Sequence, residues 1–185
     1  MSLDKVIVVL WVVFWGYWIV SAAGNKKAAR GSRRRGYLVR MMIVLTLFLL
    51  FRNPETRRFV AYHRISHNPA VRICGAIVCA AGMGFAVWAR VHLGRNWGVP
   101  MSLREGHELI TSGLYRIVRH PIYTGILLAM LGSGFTVTAW WLVAFVFFSG
   151  YFHYCAAVEE KEMMRQFPDQ YPGYKRKTCG MIVPL

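Results

Sequence analysis

From Ile122 to Val158 the chain runs for 37 residues without a single Asp, Glu, Lys or Arg. One straight helix of that length would reach about 55 Å, nearly twice the roughly 30 Å of a bilayer's hydrocarbon core. The run must therefore turn back on itself, and the natural place for such a hairpin is a membrane. The predicted break is Gly132-Ser133-Gly134, followed by Thr136 and Thr138. It separates a helix over Ile122 to Leu131, extended by its neighbours, from a second over Ala139 to Val158.

Three shorter apolar stretches precede it. Val6 to Ala23 is uncharged and carries Trp11, Trp15, Tyr17 and Trp18, the last two near one interface. Lys5 before it and Ser21-Ala22-Ala23 at its end have the look of a signal peptide. The Trp content and the basic residues from Lys26 to Arg35 favour a retained helix. Tyr37 to Phe51 is only 15 residues and contains Arg40, so it crosses only if that side chain reaches back to the interface. Ala70 to Val91 places Gly75, Cys79, Ala80, Gly82 and Gly84 at spacings that allow close helix contact, which predicts a central position. The expected fold is an all-α integral membrane protein of about five transmembrane helices ending in a helical hairpin.

Composition supports this and excludes two classes. Hydrophobic residues are 56% of the chain, too many for a soluble enzyme to cover. Yet 23 Lys and Arg face 8 Asp and Glu, a formal charge of +15. That charge lies in the gaps between apolar runs, which suits loops on anionic lipid headgroups rather than a nucleic-acid binder. The loop 24–36 holds six cations, the loop 92–121 holds Arg95, Arg104, Arg116 and Arg119, and the tail holds Lys161, Arg165, Lys175, Arg176 and Lys177. Five spans put all three on one side, taken as cytoplasmic, with the N-terminus opposite. Residues 52–69, with Arg52, Arg57, Arg58 and Arg64, stand against that assignment.

The chemistry is expected in two polar segments on the shared face. Residues 92–121 are too long for a simple connector. Val99, Met101 and Leu103 alternate and Leu109-Ile110-Thr111 returns, which predicts a hairpin before the turn at Ser112-Gly113. Tyr115, Arg116, Arg119 and His120 then lead to Pro121, suited to the first turn of a helix. Backbone N–H groups at that entrance attract a carboxylate or phosphate, while anchoring of headgroups accounts for the cations equally well. Glu159 and Glu160 close the last apolar run. At a helix C-terminus they oppose the macrodipole and require cations, for which Arg119 and Arg116 are candidates. Tyr171-Pro172-Gly173-Tyr174 is too turn-prone to extend a helix; its rings cover a pocket or form an interfacial belt. His63 and His67 read as loop residues, and His153 either faces the pocket or bonds between helices. Cys74, Cys79, Cys155 and Cys179 make no CxxC pair, so neither disulfide nor metal site is expected.

GLYRIVRHPIYTG at 113–125, then an apolar hairpin, then EEKEMMRQFPDQYPGYKRKT at 159–178, resembles the isoprenylcysteine carboxyl methyltransferase family and its relatives the phospholipid methyltransferases. The likeness runs from about Leu93 to the C-terminus. It divides the chain into 1–91, three N-terminal membrane helices with basic loops, and 92–185, a methyltransferase core. It implies transfer of a methyl group from S-adenosyl-L-methionine to a lipophilic or prenylated substrate, with a cytoplasmic cofactor-binding cap. By motif position the cofactor would meet Tyr115, Arg119, His120, Pro121, Tyr123, Gly125, Glu159, Glu160, Tyr171 and Tyr174, and Arg119, Glu160 and Arg116 would serve the chemistry. A prenylcysteine carboxylate ranks above a phospholipid amine as acceptor, since Arg119 and Arg116 favour an anionic headgroup. A sterol-type reductase using NADPH and a non-enzymatic membrane anchor are the rival classes. The sequence leaves the oligomeric state open.

Overall fold

The structure, a computed structural model, describes residues 2–22, 54, 55, 58, 62–94 and 108–181. Five helices occur among them: α1 (Leu3–Ala22), α2 (Pro69–Leu93), α3 (Pro121–Thr136), α4 (Trp140–Gln166) and the short α5 (Tyr171–Lys177), with a 3-10 turn at Gly113–Arg116. The single β-type pairing among the described residues is a parallel bridge between Val118 and Cys179. α1, α2 and α4 are long and apolar enough to cross a membrane, and α3 is a shorter apolar helix. The protein is thus an all-helical integral membrane protein. The predicted span Tyr37–Phe51, the basic loop 24–36 and hairpin residues 99–107 lie outside the described residues. Leu109-Ile110-Thr111 forms no strand, so the returning arm of the expected hairpin is absent.

The centre is the α2–α3 seam. Asn68 starts α2 by accepting the Ala70 N–H through Oδ1 at 2.9 Å, with Pro69 in the first turn. A side-chain carbon added at Gly82 would lie 2.6 Å from both the Gly125 carbonyl oxygen and the Ala129 nitrogen. One added at Gly132 would collide with the Cys79 nitrogen and the Gly75 carbonyl. The two backbones touch, and only glycine permits that approach. This corrects two expectations. α3 runs straight through Gly132-Ser133-Gly134, and the chain reverses at Val137–Ala139. A glycine in an apolar helix against another backbone serves contact, and lipid supplies no water to support an early break. Secondly, the small-residue stripe is narrower than predicted: Gly84 meets nothing within 4 Å and Ala80 is exposed.

α1 joins along Ile7, Trp11, Phe14 and Trp18, a buried stripe at helical spacing. Trp11 stacks on Trp141, centroids 4.9 Å apart at 11°, and donates from Nε1 to Ser133 Oγ at 3.0 Å. Ser133 passes its own proton to the Ala129 carbonyl at 2.7 Å. α1 runs parallel to α2. Asp4 near its start pairs with Arg72 in the first turn of α2 at 2.8 Å, and Ser21 near its end accepts from Arg90 Nη2 in the last turn at 2.9 Å. The connection between these helices therefore leaves from one end of the bundle and arrives at the other. The end with Asp4 also holds the α3–α4 reversal, where the His63 carbonyl accepts from Ala139 N at 2.8 Å and Thr138 Oγ1 at 3.2 Å. His63 is thus a latch for the hairpin, consistent with its reading as a loop residue.

Candidate functional site

The opposite end collects the C-terminus of α2, the 3-10 turn, the start of α3, the far half of α4, and α5. Gly113 makes the turn possible: its φ is +59°, and the His92 ring occupies the place where a side chain would stand. His92 Nε2 lies 2.9 Å from Ser112 Oγ. The turn buries Leu114 and Tyr115 and leaves Arg116 exposed. The C-terminal strap then docks on the next residues. Arg119 N donates to the Cys179 carbonyl at 2.8 Å, His120 N to Gly180 at 3.0 Å, and Cys179 N to Ile117 at 3.0 Å. The amides of Arg119 and His120, just before the α3 entrance, are therefore satisfied within the chain. Pro121 is buried in the first turn of α3.

The side chains of Arg119 and His120 turn toward α4. α4 continues to Gln166, so Glu159 and Glu160 sit inside the helix rather than at its C-terminus, and the macrodipole argument for their cations lapses. The cations are there because the acids are partly dehydrated. Glu160, with its side chain 10% exposed, has Arg119 Nε at 2.7 Å and His120 Nε2 at 3.3 Å on Oε1, and Lys175 Nζ at 2.7 Å on Oε2. Glu159 is the more open acid, at 27%; it accepts from the Tyr123 hydroxyl at 2.6 Å and has His120 Nδ1 at 3.5 Å. Burial by itself pushes the His120 pKa down, but bonds to both glutamates outweigh it and raise the pKa above the ordinary histidine value. His120, Tyr123 and Phe152 form a stack of nearly parallel rings, 5.6 Å apart at 7° and then 4.6 Å apart at 5°, leading from the acids into the bundle.

α5 closes the cluster. Tyr171-Pro172-Gly173-Tyr174 does not extend α4, yet it begins a helix of its own with Pro172 in the first turn. Tyr171 is buried, and the Tyr174 hydroxyl donates to the Tyr115 carbonyl at 2.6 Å. Arg119 Nη1 reaches the Lys175 carbonyl at 3.1 Å and the Thr178 carbonyl. Burial drives the Tyr115 and Tyr171 hydroxyls well above the usual phenol range, and Tyr174 is pushed up to about 12. All three are neutral donors at physiological pH.

The expected residues thus divide. Arg119, His120, Tyr123, Glu159 and Glu160 form one connected cluster, and Tyr115, Pro121, Tyr171 and Tyr174 frame it. Gly125 faces Gly82 and Ala86 in the seam. Arg116 touches none of these acids; it is exposed on the wall of an adjoining groove that shares Tyr174 and Thr178 with the frame of the cluster. His153 bonds within its own helix, Nδ1 to the Ser149 carbonyl at 2.8 Å. The sequence reading missed Lys175 and Thr178 as partners of the cluster. Their signal is the helical spacing of Tyr171, Lys175 and Thr178, hidden by treating the Pro-Gly pair as a turn.

A profile of the phospholipid methyltransferase family matches residues 70–170. A probable protein-S-isoprenylcysteine O-methyltransferase of Oryza sativa subsp. indica is 30% identical over 149 residues, covering 75% of this chain and 69% of that protein. A methanethiol S-methyltransferase of Pseudomonas sp. (strain GM41(2012)) is 34% identical over 71 residues, 38% of this chain and 26% of the relative. Among solved structures, a eukaryotic intramembrane isoprenylcysteine carboxyl methyltransferase superposes with a TM-score of 0.57 at 20% identity. That match covers 84% of this chain and 55% of the other, so the chain spans little more than half of that protein's length. The family profile covers α2, α3 and α4, which build the seam and carry Glu159 and Glu160, as well as Arg119 and His120, while α5 lies beyond it; the chain belongs to the phospholipid methyltransferase family of membrane methyltransferases, which includes the isoprenylcysteine carboxyl methyltransferases.

Proposed function

We propose that this protein methylates the carboxylate of a prenylcysteine-like lipophilic acid with S-adenosyl-L-methionine as donor, at the end of the bundle that holds Glu159 and Glu160. The observation that carries the reading is the union of both motifs in one cluster: Arg119 and His120 from the first motif lie on Glu160 from the second. The donor set fits a sulfonium zwitterion. Glu159 offers a partly exposed carboxylate for an ammonium or ribose hydroxyl, and the neutral tyrosines and stacked rings offer faces to a cation. S-adenosyl-L-methionine supplies, when bound, an electrophilic methyl group whose C–S electron pair stays on sulfur as an oxygen of the acceptor takes the carbon.

The protein's residues orient and desolvate. A carboxylate nucleophile needs no base, which agrees with Glu160 being saturated by three cations and therefore unsuited to collect a proton. Glu160 instead holds Arg119, His120 and α5 in register, and Arg119 ties the strap to α4. The basic loops support a cytoplasmic active face. Residues 92–185 form the working core, with α2 as its brace.

Calorimetry in detergent tests the donor. S-adenosylmethionine and S-adenosylhomocysteine should bind at micromolar concentrations and NADPH should not; binding of NADPH alone would make the protein a reductase. A phospholipid amine is the second reading, favoured by the family profile. Radiolabelled donor separates the two: base-labile label on a farnesylated cysteine analogue marks the ester, and base-stable label on phosphatidylethanolamine marks the amine.

A further inference from the structure

Between α5 and the 3-10 turn lies a groove of about 370 Å³ whose walls include Thr111, Arg116, Gln170, Tyr174, Lys177 and Thr178. Its charge differs from that of the neighbouring cluster. There, Arg119, His120 and Lys175 are matched to Glu159 and Glu160. In the groove, Arg116 and Lys177 are exposed, no acid is among the lining residues, and neither cation pairs with an acid among the described residues. The Tyr174 hydroxyl is already committed to the Tyr115 carbonyl, so its ring serves as a wall. Thr178 is likewise committed, donating to the Tyr174 carbonyl at 2.8 Å. What remains for a ligand is two cations, the Gln170 amide and the Thr111 hydroxyl, a set dominated by donors.

We propose that this groove binds the oxyanion headgroup, carboxylate or phosphate, of an amphiphile lying in the bilayer. The inference deepens the methyltransferase reading and rests on it for the identity of the acceptor. Two cations without a counter-charge attract one oxyanion and repel an ammonium headgroup. The volume lies near the lower limit of ligand pockets, about 300 Å³, so it admits a headgroup and leaves the tail outside, in lipid. Lys177 and Lys175 share α5, so an oxyanion seated here is carried by the same helix that grips Glu160. Two sources share this chemistry: the acceptor's own acid, and the phosphate of an adjacent anionic lipid.

The test uses the full chain in nanodiscs of neutral phosphatidylcholine and a fluorescent farnesylated cysteine analogue, as free acid and as carboxamide. The parent should bind the acid at least about tenfold more tightly than the carboxamide, and salt should shrink the ratio because both cations are exposed. In the double variant R116Q/K177Q the ratio should fall to near one, while S-adenosylmethionine affinity stays within about twofold of the parent, because the groove leaves Glu159 and Glu160 untouched. Adding phosphatidylglycerol identifies the source. If the lipid displaces the acid from the parent but not from the double variant, lipid phosphate occupies the groove; if it displaces neither, the groove is reserved for the acceptor. An unchanged acid-to-carboxamide ratio in the double variant, or no preference for the acid in the parent, overturns the proposal. If the parent fails to bind S-adenosylmethionine, the methyltransferase reading falls while the ratio still decides the groove.

Discussion

Each end of this helical bundle is closed by one carboxylate gathering several cations, and the two closures behave differently. At one end Asp4 holds Arg64 at 2.7 Å and Arg72 at 2.8 Å, and Arg72 Nε also donates to the Thr136 carbonyl at 3.0 Å. Thr136 Oγ1 donates to the Arg72 carbonyl at 3.1 Å in return. These contacts join α1, the segment before α2, α2 itself and the end of α3 to one another. At the other end Glu160 gathers three cations, but a second, more open acid, a stack of rings and a cation-lined groove surround it. A closed ion cluster fixes helices. One with a half-open acid, exposed cations beside it and aromatic faces also has chemistry left for a ligand. Arg64, one of the arginines that stand against the expected sidedness, is thereby paired, as is Arg72.

The sharpest way to break this contrast is Glu160→Gln. It leaves Arg119, His120 and Lys175 facing a neutral amide, and removing one partner of a buried charge set typically costs about 3 kcal/mol. Thermal unfolding in detergent should show that loss together with loss of donor binding; a variant as stable as the parent would remove Glu160 as the link between α4 and α5. Glu159→Gln comes next. Its acid is more open and holds fewer elements, so donor affinity should drop about tenfold by calorimetry with little change in melting. If melting falls as far as in Glu160→Gln, the division of labour between the acids is wrong.

Asp4→Asn probes the far end. Its partners are about a quarter exposed, so the cost should be about 1 kcal/mol, visible in melting and absent from donor affinity. A change in donor affinity would mean that the two ends are coupled through the seam. The smallest effect is a pH slope. Because the His120 pKa is raised in the folded protein, its contribution to stability is complete below the unfolded value of about 6.5 and fades as pH rises through the folded value. Melting of the parent should decline as pH rises above that unfolded value, and His120→Gln should flatten the decline. An identical slope in both proteins assigns the pH dependence to another group.

Much of this molecule is written locally. The charge-free run from Ile122 to Val158 determined a helical hairpin in a membrane, because no single helix that long fits a bilayer and backbone polar groups in lipid must bond within the helix. The stripe Gly75, Cys79, Ala80, Gly82 and Gly84 marked α2 as a close-packed helix, though Ala80 and Gly84 take no part in the contact, and the paired motifs marked Arg119, His120, Glu159 and Glu160 as belonging together. What a linear reading could not decide was whom each residue meets. Gly132-Ser133-Gly134 has the composition of a turn, and only the approach of α2 shows it to be a contact surface. Lys175 and Lys177 are equally basic in sequence, yet one folds onto Glu160 and the other faces a groove, because the start of α5 sets which side of that helix meets α4. Asp4 and Arg72 are 68 positions apart, and their pairing goes with α1 and α2 running parallel. Hydrophobic period and charge placement are properties of a segment, so the sequence carries them by itself. Ion pairs and grooves depend on how segments cross, and that was settled only when the glycine seam fixed the distance and register of the helices.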